Sequence, residues 1–189
     1  MDGKKLIIMK DVIVCTKFTL RKLRPIEDKE SIIESMNDKD VLSKLSFNFP
    51  YTEKDYQIFV NIFKNEKNAV EKDSAMFVID VDGKAIGSIG LHWKLKDYLK
   101  HIGDIGYWLN KKYWGQGIMT EAVKNISNYA FDELGKTKLT IRMLEENIGS
   151  KRVAEKSGFE FEWLAKKEVF KDGEYKNFAC YSKFNEKMV

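Results

Sequence analysis

The sequence has few of the residues that staple small proteins: two cysteines, two histidines and two prolines in 189 residues. Cys15 and Cys180 lie far apart and neither has a C-x-x-C partner, which excludes a disulfide framework and points to reduced thiols. His92 and His101 lack metal-ligand spacing, so no metal is expected. No Pro-rich linker, repeat or low-complexity tract divides the chain. The expected organisation is a single domain over 1–189, with 1–15 an N-terminal extension that could add a strand. A chain of this length can bury a core without staples. Long apolar runs are missing too: Lys10 and Asp11 break the first after four residues, too soon for a signal peptide, and no stretch approaches a membrane span. A cytoplasmic protein with no membrane partner is expected. Nor does one sign of charge dominate, with 33 basic against 29 acidic residues. Interleaved runs such as KNEKNAVEKD read as a solvated surface and not as the basic stripe of a nucleic-acid binder.

What is present is apolar patterning with clear punctuation. FTLRKL (18–23) alternates as a half-buried strand, and EDKESIIESMND reads as a short helix. Phe47, Phe49, Pro50 and Tyr51 make an aromatic loop. Thr52 with Asp55 three residues on resembles a capping box opening a helix through about Glu66. Two apolar runs around Asp82 and Gly83 form a hairpin, and IGDIGYWL (102–109) a third strand. Residues 120–134 carry apolar positions at helical spacing and stop at Gly135. KLTIRML (138–144), SKRVAEKSG and two strands about Asp172 and Gly173 complete an α/β arrangement with a mixed sheet.

The stretch that carries chemistry is YWLNKKYWGQGIMTE (107–121). A strand ends, a glycine-bearing turn follows, and a helix starts at once. Such a turn presents backbone N–H groups and the positive end of the helix dipole, which suits a pyrophosphate. The segment lacks the P-loop lysine pattern and the third glycine of a Rossmann fingerprint. Read alone, the glycines would also fit a plain tight turn capping a helix.

GYWLNKKYWGQGIMTEAV resembles the acetyl-CoA signature of the GNAT N-acetyltransferases, [Q/R]-x-x-G-x-[G/A]. It is most similar to the ribosomal-protein N-terminal acetyltransferase group, G-Y-W-x-x-x-x-x-W-G-x-G-x-x-T-E-A. FTLRKLRPIED, AIGSIGL and NIGSKRVAEKSGF resemble further segments of that group in the same order, from about residue 17 to 184. Lys112 departs from the motif's Gln or Arg. The resemblance implies a GNAT-like mixed, mostly antiparallel central sheet flanked by helices, with a splayed CoA-binding cleft. It also implies transfer of an acetyl group from acetyl-CoA to a primary amine.

By matching position, the backbone of Tyr107, Trp108 and Leu109 would pair with the pantetheine arm. Trp114, Gly115, Gln116, Gly117, Ile118 and Met119 would cradle the pyrophosphate. Asn147 would bond the CoA arm, and Ser150 would sit by the thioester sulfur. Ala154 takes the place where many GNAT enzymes carry an acid tyrosine, so Ser150 becomes the candidate for protonating the thiolate. Asn147 and Ser150 could also be helix N-caps. Leu109 offers an N–H to the developing oxyanion. Asp104 is a candidate base, acting directly or through water, or else a solvated strand residue. The group's basic Glu falls on Val169, with Glu168 beside it and turned the other way by strand alternation; Glu162 matches another acidic position. His92, Trp93 and Phe49, with Phe47 and Tyr98, could line the acceptor pocket, core packing being the other reading for the two Phe residues.

Neither cysteine sits in an activated context, so direct attack in a ternary complex is expected. Lys94, Lys96, Lys100 and Asp97 give the expected rim mixed charge, which favours a peptide N-terminus or small monoamine over a polyamine or aminoglycoside. A catalytically silent CoA-binding module is the alternative from another class. Monomer and homodimer both remain open.

Overall fold

The computed structural model describes residues 10–45, 49–65, 74–93 and 97–188. Phe47, Lys94, Lys96 and residues 1–9, named above, lie outside them. The elements are β1 (Val12–Val14), β2 (Thr19–Arg21), α1 (Lys29–Met36), α2 (Lys39–Leu42), α3 (Glu53–Asn65), β3 (Ser74–Val81), β4 (Lys84–Trp93), β5 (Ile102–Leu109), α4 (Ile118–Asp132), β6 (Lys138–Leu144), α5 (Ile148–Lys156), β7 (Glu160–Lys171) and β8 (Glu174–Phe184). They form one eight-stranded sheet in the order β1-β2-β3-β4-β5-β6-β8-β7. Neighbours are antiparallel except β5 and β6, which run parallel.

Asp82 and Gly83, both at positive φ, turn β3 into β4, and Asp172 and Gly173 do the same for β7 and β8, as a two-residue hairpin requires. Thr52 and Asp55 exchange backbone-to-side-chain bonds at the head of α3, which is the reciprocal arrangement of a capping box. The helix α2 escaped the periodicity because it is only four residues long; Asp38 caps it by accepting from the Asp40 N–H. The helix α4 begins two residues earlier than its apolar pattern suggests, directly after Gly117 at φ 81°.

Side chains alternate across the strands and sort into two cores. Ile89, Leu91, Ile105, Leu109, Leu139 and Ile141 pack with Ala122, Val123, Ile126 and Tyr129 of α4. On the other face Met76, Val78 and Trp108 pack with Ile32, Met36, Leu42, Tyr56 and Phe59 of the first three helices. That second face also buries a charged cluster. The Arg21 guanidinium bonds the carboxylates of Asp28 at 2.7 Å and Asp80 at 2.6 Å, and all three residues are buried.

Candidate active site

The sheet splits at its centre. β5 and β6 pair only at Ile102 with Lys138, Gly103 with Leu139 and Asp104 with Thr140; beyond Asp104 the parallel pairing stops while both strands continue. The register of β5 on β4 fixes what faces the resulting fork. Leu109 lies opposite Gly87, and the next residue, Asn110, donates its N–H to the Ile86 carbonyl at 2.8 Å. Gly87 and Leu109 are therefore a non-hydrogen-bonded pair, and backbone groups alternate from there. The N–H and C=O of Ile105, Tyr107 and Leu109 turn to the fork, while those of Gly106 and Trp108 turn to β4. Trp108 is thus a correction: its main chain is committed to Ser88, and its buried ring packs edge-on to Phe59.

At the open end of the fork stands the glycine turn. Gly115 and Gly117 have φ of 74° and 81°, and a Cβ built on either would meet nothing within 4 Å. Gly117 is the N-cap of α4 and supplies no side-chain cap, so no cap side chain takes up the first-turn N–H groups of the helix. This is the geometry that receives an anion at a helix start. The Trp114 indole folds back and donates to the Leu109 carbonyl at 2.8 Å, which fixes the turn against the end of β5. Gln116 reaches back to the Lys112 carbonyl. Lys112, the departure from the family motif, is exposed and lies 3.6 Å from Glu34.

On the α4 face of the fork, Asn147 is the N-cap of α5 and accepts from the Ser150 N–H at 3.1 Å. Ser150 is therefore not the cap. Its hydroxyl lies 2.7 Å from that of Tyr107, which spans from β5 to the first turn of α5. Burial pushes the Tyr107 phenol up to about 12, and its bond to Ser150 only partly offsets that; it stays protonated at neutral pH. Either hydroxyl can donate in this pair, and the Tyr107 hydroxyl also reaches the Ser150 carbonyl at 3.3 Å, so Tyr107 fixes the position of the Ser150 side chain. The sequence reading assigned Tyr107 a backbone role alone.

The opposite face carries the polar groups expected near an acceptor, in a different arrangement. Asp104 is not a free carboxylate: Thr140 donates to it at 2.7 Å and Arg142 clasps it at 3.0 Å. Arg142 and Thr140 were missed because alternation on β6 shows only that they leave the α4 core. Glu162 is paired with Lys138. Strand alternation alone would turn Glu168 away, but β7 is bulged between Ala165 and Val169, with Lys167 at φ 54°. The bulge re-aims the strand, and Glu168 contributes to the field that raises the Arg142 pKa, after the larger effects of Asp104.

His92 is exposed on this face, opposite Asp104 in register. Trp93, one residue on, points to the other face, where Lys136 sits 4.2 Å above its ring; it does not join His92 in an acceptor pocket. Phe49 is exposed and stacks under Lys39. Tyr98 is exposed as well. Burial raises both cysteine thiols to about 11, so neither is a thiolate at neutral pH. Among the described residues no cluster of His, Cys, Asp and Glu could hold a metal ion, and no helix is long and apolar enough to cross a membrane.

A family model described as acetyltransferase (GNAT) domain matches residues 17–160, and the chain belongs to that family. Among curated relatives, the Bacillus subtilis protein "Probable N-acetyltransferase YjcK" is 41% identical over 88 residues, 47% of this chain and 48% of its own. The "Putative ribosomal N-acetyltransferase YdaF" of the same organism is 34% identical over 101 residues, 53% of this chain and 54% of its own. These two matches thus take in about half the length of each relative. Spermidine N(1)-acetyltransferase of Escherichia coli is 26% identical over 158 residues, 82% of this chain and 81% of its own. A GNAT acetyltransferase structure from Bacillus anthracis superposes with a TM-score of 0.75 at 28% identity, covering 92% of this chain and 98% of that one.

Proposed function

We propose that the protein transfers the acetyl group of acetyl-CoA directly to a primary amine, and that the amine is a peptide N-terminus or a small monoamine. The observation that carries the reading is the fork, an unpaired stretch of β5 backbone leading to a helix start lined by glycines and left without a side-chain cap. That pairing suits a ligand with amides along one arm and a pyrophosphate at its end. When bound, acetyl-CoA supplies the thioester.

The main chain of 114–119 holds the pyrophosphate, the fork-facing groups of Tyr107 pair with the amide arm, and the Asn147 amide NH2 serves the arm near the thiol. The amine lone pair forms the new C–N bond as the C–S bond breaks. The Leu109 N–H meets the oxygen that gains charge, and Ser150, oriented by Tyr107, gives the departing sulfur its proton. The amine loses its proton to Glu168 or to water, since Asp104 is engaged by Arg142 and Thr140. With both thiols protonated, an acyl-cysteine route has no support.

The acceptor assignment rests on charge. Two carboxylates of the acceptor face, Asp104 and Glu162, are neutralised by Arg142 and Lys138, which leaves no dense acidic patch there among the described residues to attract a polycation. The spermidine acetyltransferase relative favours the other reading, so the two belong in one assay. Thiol release over a panel of alanyl- and seryl-starting peptides, monoamines, spermidine and kanamycin should rank peptides or monoamines first. In parallel, Gly117→Val should weaken acetyl-CoA binding more than tenfold, about 1.4 kcal/mol or more, by strain at positive φ and by filling the cradle. Unchanged calorimetric affinity in a folded Gly117→Val protein would overturn the assignment of the turn, and efficient spermidine acetylation would overturn the acceptor ranking.

A further inference from the structure

The strand β5 contains two non-terminal glycines that have opposite reasons to be there. A Cβ on Gly103 would lie 2.6 Å from Leu91 Cδ1 and 2.9 Å from Leu139 Cδ2, so a side chain there would have to displace two buried leucines. A Cβ on Gly106 would meet nothing within 4 Å, and its φ is not in the left-handed region. Among the described residues nothing forbids a side chain at Gly106, and a β-branched residue would suit the strand better than glycine. Yet Gly106 is exposed in the fifth strand of an eight-stranded sheet. An unfilled glycine in a central strand marks a place where something else approaches the backbone.

Its position says what that is. Gly106 lies two residues past the last pairing of β5 with β6, on the face opposite Tyr107 and Ser150. Asp104 and Trp108 flank it along the strand. Its partner across the ladder is Gly90, whose surface is already covered by Met76, since a Cβ there would fall 2.0 Å from the Met76 sulfur. The bare patch is therefore confined to Gly106. On the same side of the sheet, Lys171 at the end of β7 donates to the Leu42 and Leu45 carbonyls, tying the β7 and β8 hairpin to the end of α2.

We propose that Gly106 is the acceptor's specificity-determining residue, keeping open the floor over which an amine branched at its α-carbon, the first residue of a peptide, reaches the thioester through the fork. An unbranched amine carries one substituent fewer on that carbon and needs less of this room. The proposal rests on the acetyltransferase reading above and deepens it to a substrate class. The test is Gly106→Ala and Gly106→Val, assayed with an alanyl peptide and with spermidine as the unbranched comparison. Melting temperature and calorimetric CoA affinity should stay near wild type for both variants. For the peptide, kcat/KM should fall about tenfold in Gly106→Ala and about 100-fold in Gly106→Val, in the range that one or two methylenes command in a fitted site. For spermidine the Gly106→Ala loss should be about threefold or less, below the range for a fitted methylene. Equal losses on both acceptors, or wild-type peptide kinetics in Gly106→Val, overturn the proposal while leaving the acetyltransferase reading intact. A wild-type protein that binds acetyl-CoA and acetylates no amine overturns both.

Discussion

The two faces of the sheet hold buried charge in opposite ways. Under the first three helices, Arg21 sits between Asp28 and Asp80, and the bonds to Asp28 and Asp80 outweigh desolvation and push its pKa upward. Under α4, the buried Lys136 has no carboxylate partner among the described residues; it donates to the Lys100 carbonyl at 2.7 Å and lies over the Trp93 ring. There desolvation wins and lowers its pKa to about 8. A paired charge stays ionised and makes its neighbours depend on it, whereas an unpaired one drifts toward neutrality. The face under the first three helices can therefore carry ionic groups such as Asp104 and Arg142, while the other face is an apolar platform for α4.

The strongest way to break this comparison is to remove Arg21. Arg21→Leu leaves two carboxylates buried without a counter-charge, and breaking a buried pair in this way costs about 3–5 kcal/mol. Urea denaturation at neutral pH should register that loss with little change in the slope of the transition. A cost below about 1 kcal/mol would mean that water already screens the cluster, and the contrast between the faces would fail.

A smaller effect is expected where the α4 face meets the fork. Ser150→Ala should lower kcat about 10²-fold, the scale of a positioned acid, with the acetyl-CoA affinity retained. Tyr107→Phe removes only the hydroxyl that orients Ser150, and should cost about tenfold. The two hydroxyls share one hydrogen bond, so Tyr107→Phe added to Ser150→Ala should cost little further. Losses that simply multiply would show that Tyr107 acts independently of Ser150.

The sequence made the strands, the principal helices and the glycine turn legible because each rests on local signals: alternation, helical spacing, Asp-Gly turns and a cap. The acceptor side was less legible, since it depends on register. Trp93 and His92 are adjacent in sequence and face opposite ways; Trp108 and Leu109 differ in the same manner along the fork. The course of β7 about Glu168 was not legible, because ideal alternation cannot anticipate a bulge with Lys167 at positive φ. The bond between Tyr107 and Ser150 joins residues 43 positions apart, which no periodicity reports. One signal was available and unused: two glycines inside IGDIGYWL, an interruption that marks either close packing or a ligand's approach.

The smallest effect tests the other half of the comparison, through pH. The folded-state pKa of Lys136 is about 8, against about 10.4 for an unperturbed lysine. Between those values the unfolded chain binds more protons than the folded one, so stability rises with pH across that window. Below pH 8 both states are protonated and the penalty for burying the charge is present in full; above the unfolded value it is gone. Lys136→Met removes the titration together with the bond to the Lys100 carbonyl, so its absolute stability mixes two effects, and the informative quantity is the pH dependence of the difference. Between about pH 8 and 10 the wild type should gain on Lys136→Met by up to about 1.4 kcal/mol per pH unit, the limit for one proton. Denaturation midpoints in matched buffers measure this directly, because the tyrosines and remaining lysines that titrate in the same range are common to both proteins. Parallel curves for the two proteins would mean that the carbonyl and the Trp93 ring hold Lys136 fully charged, and that the α4 face tolerates ionic groups as well as its opposite does.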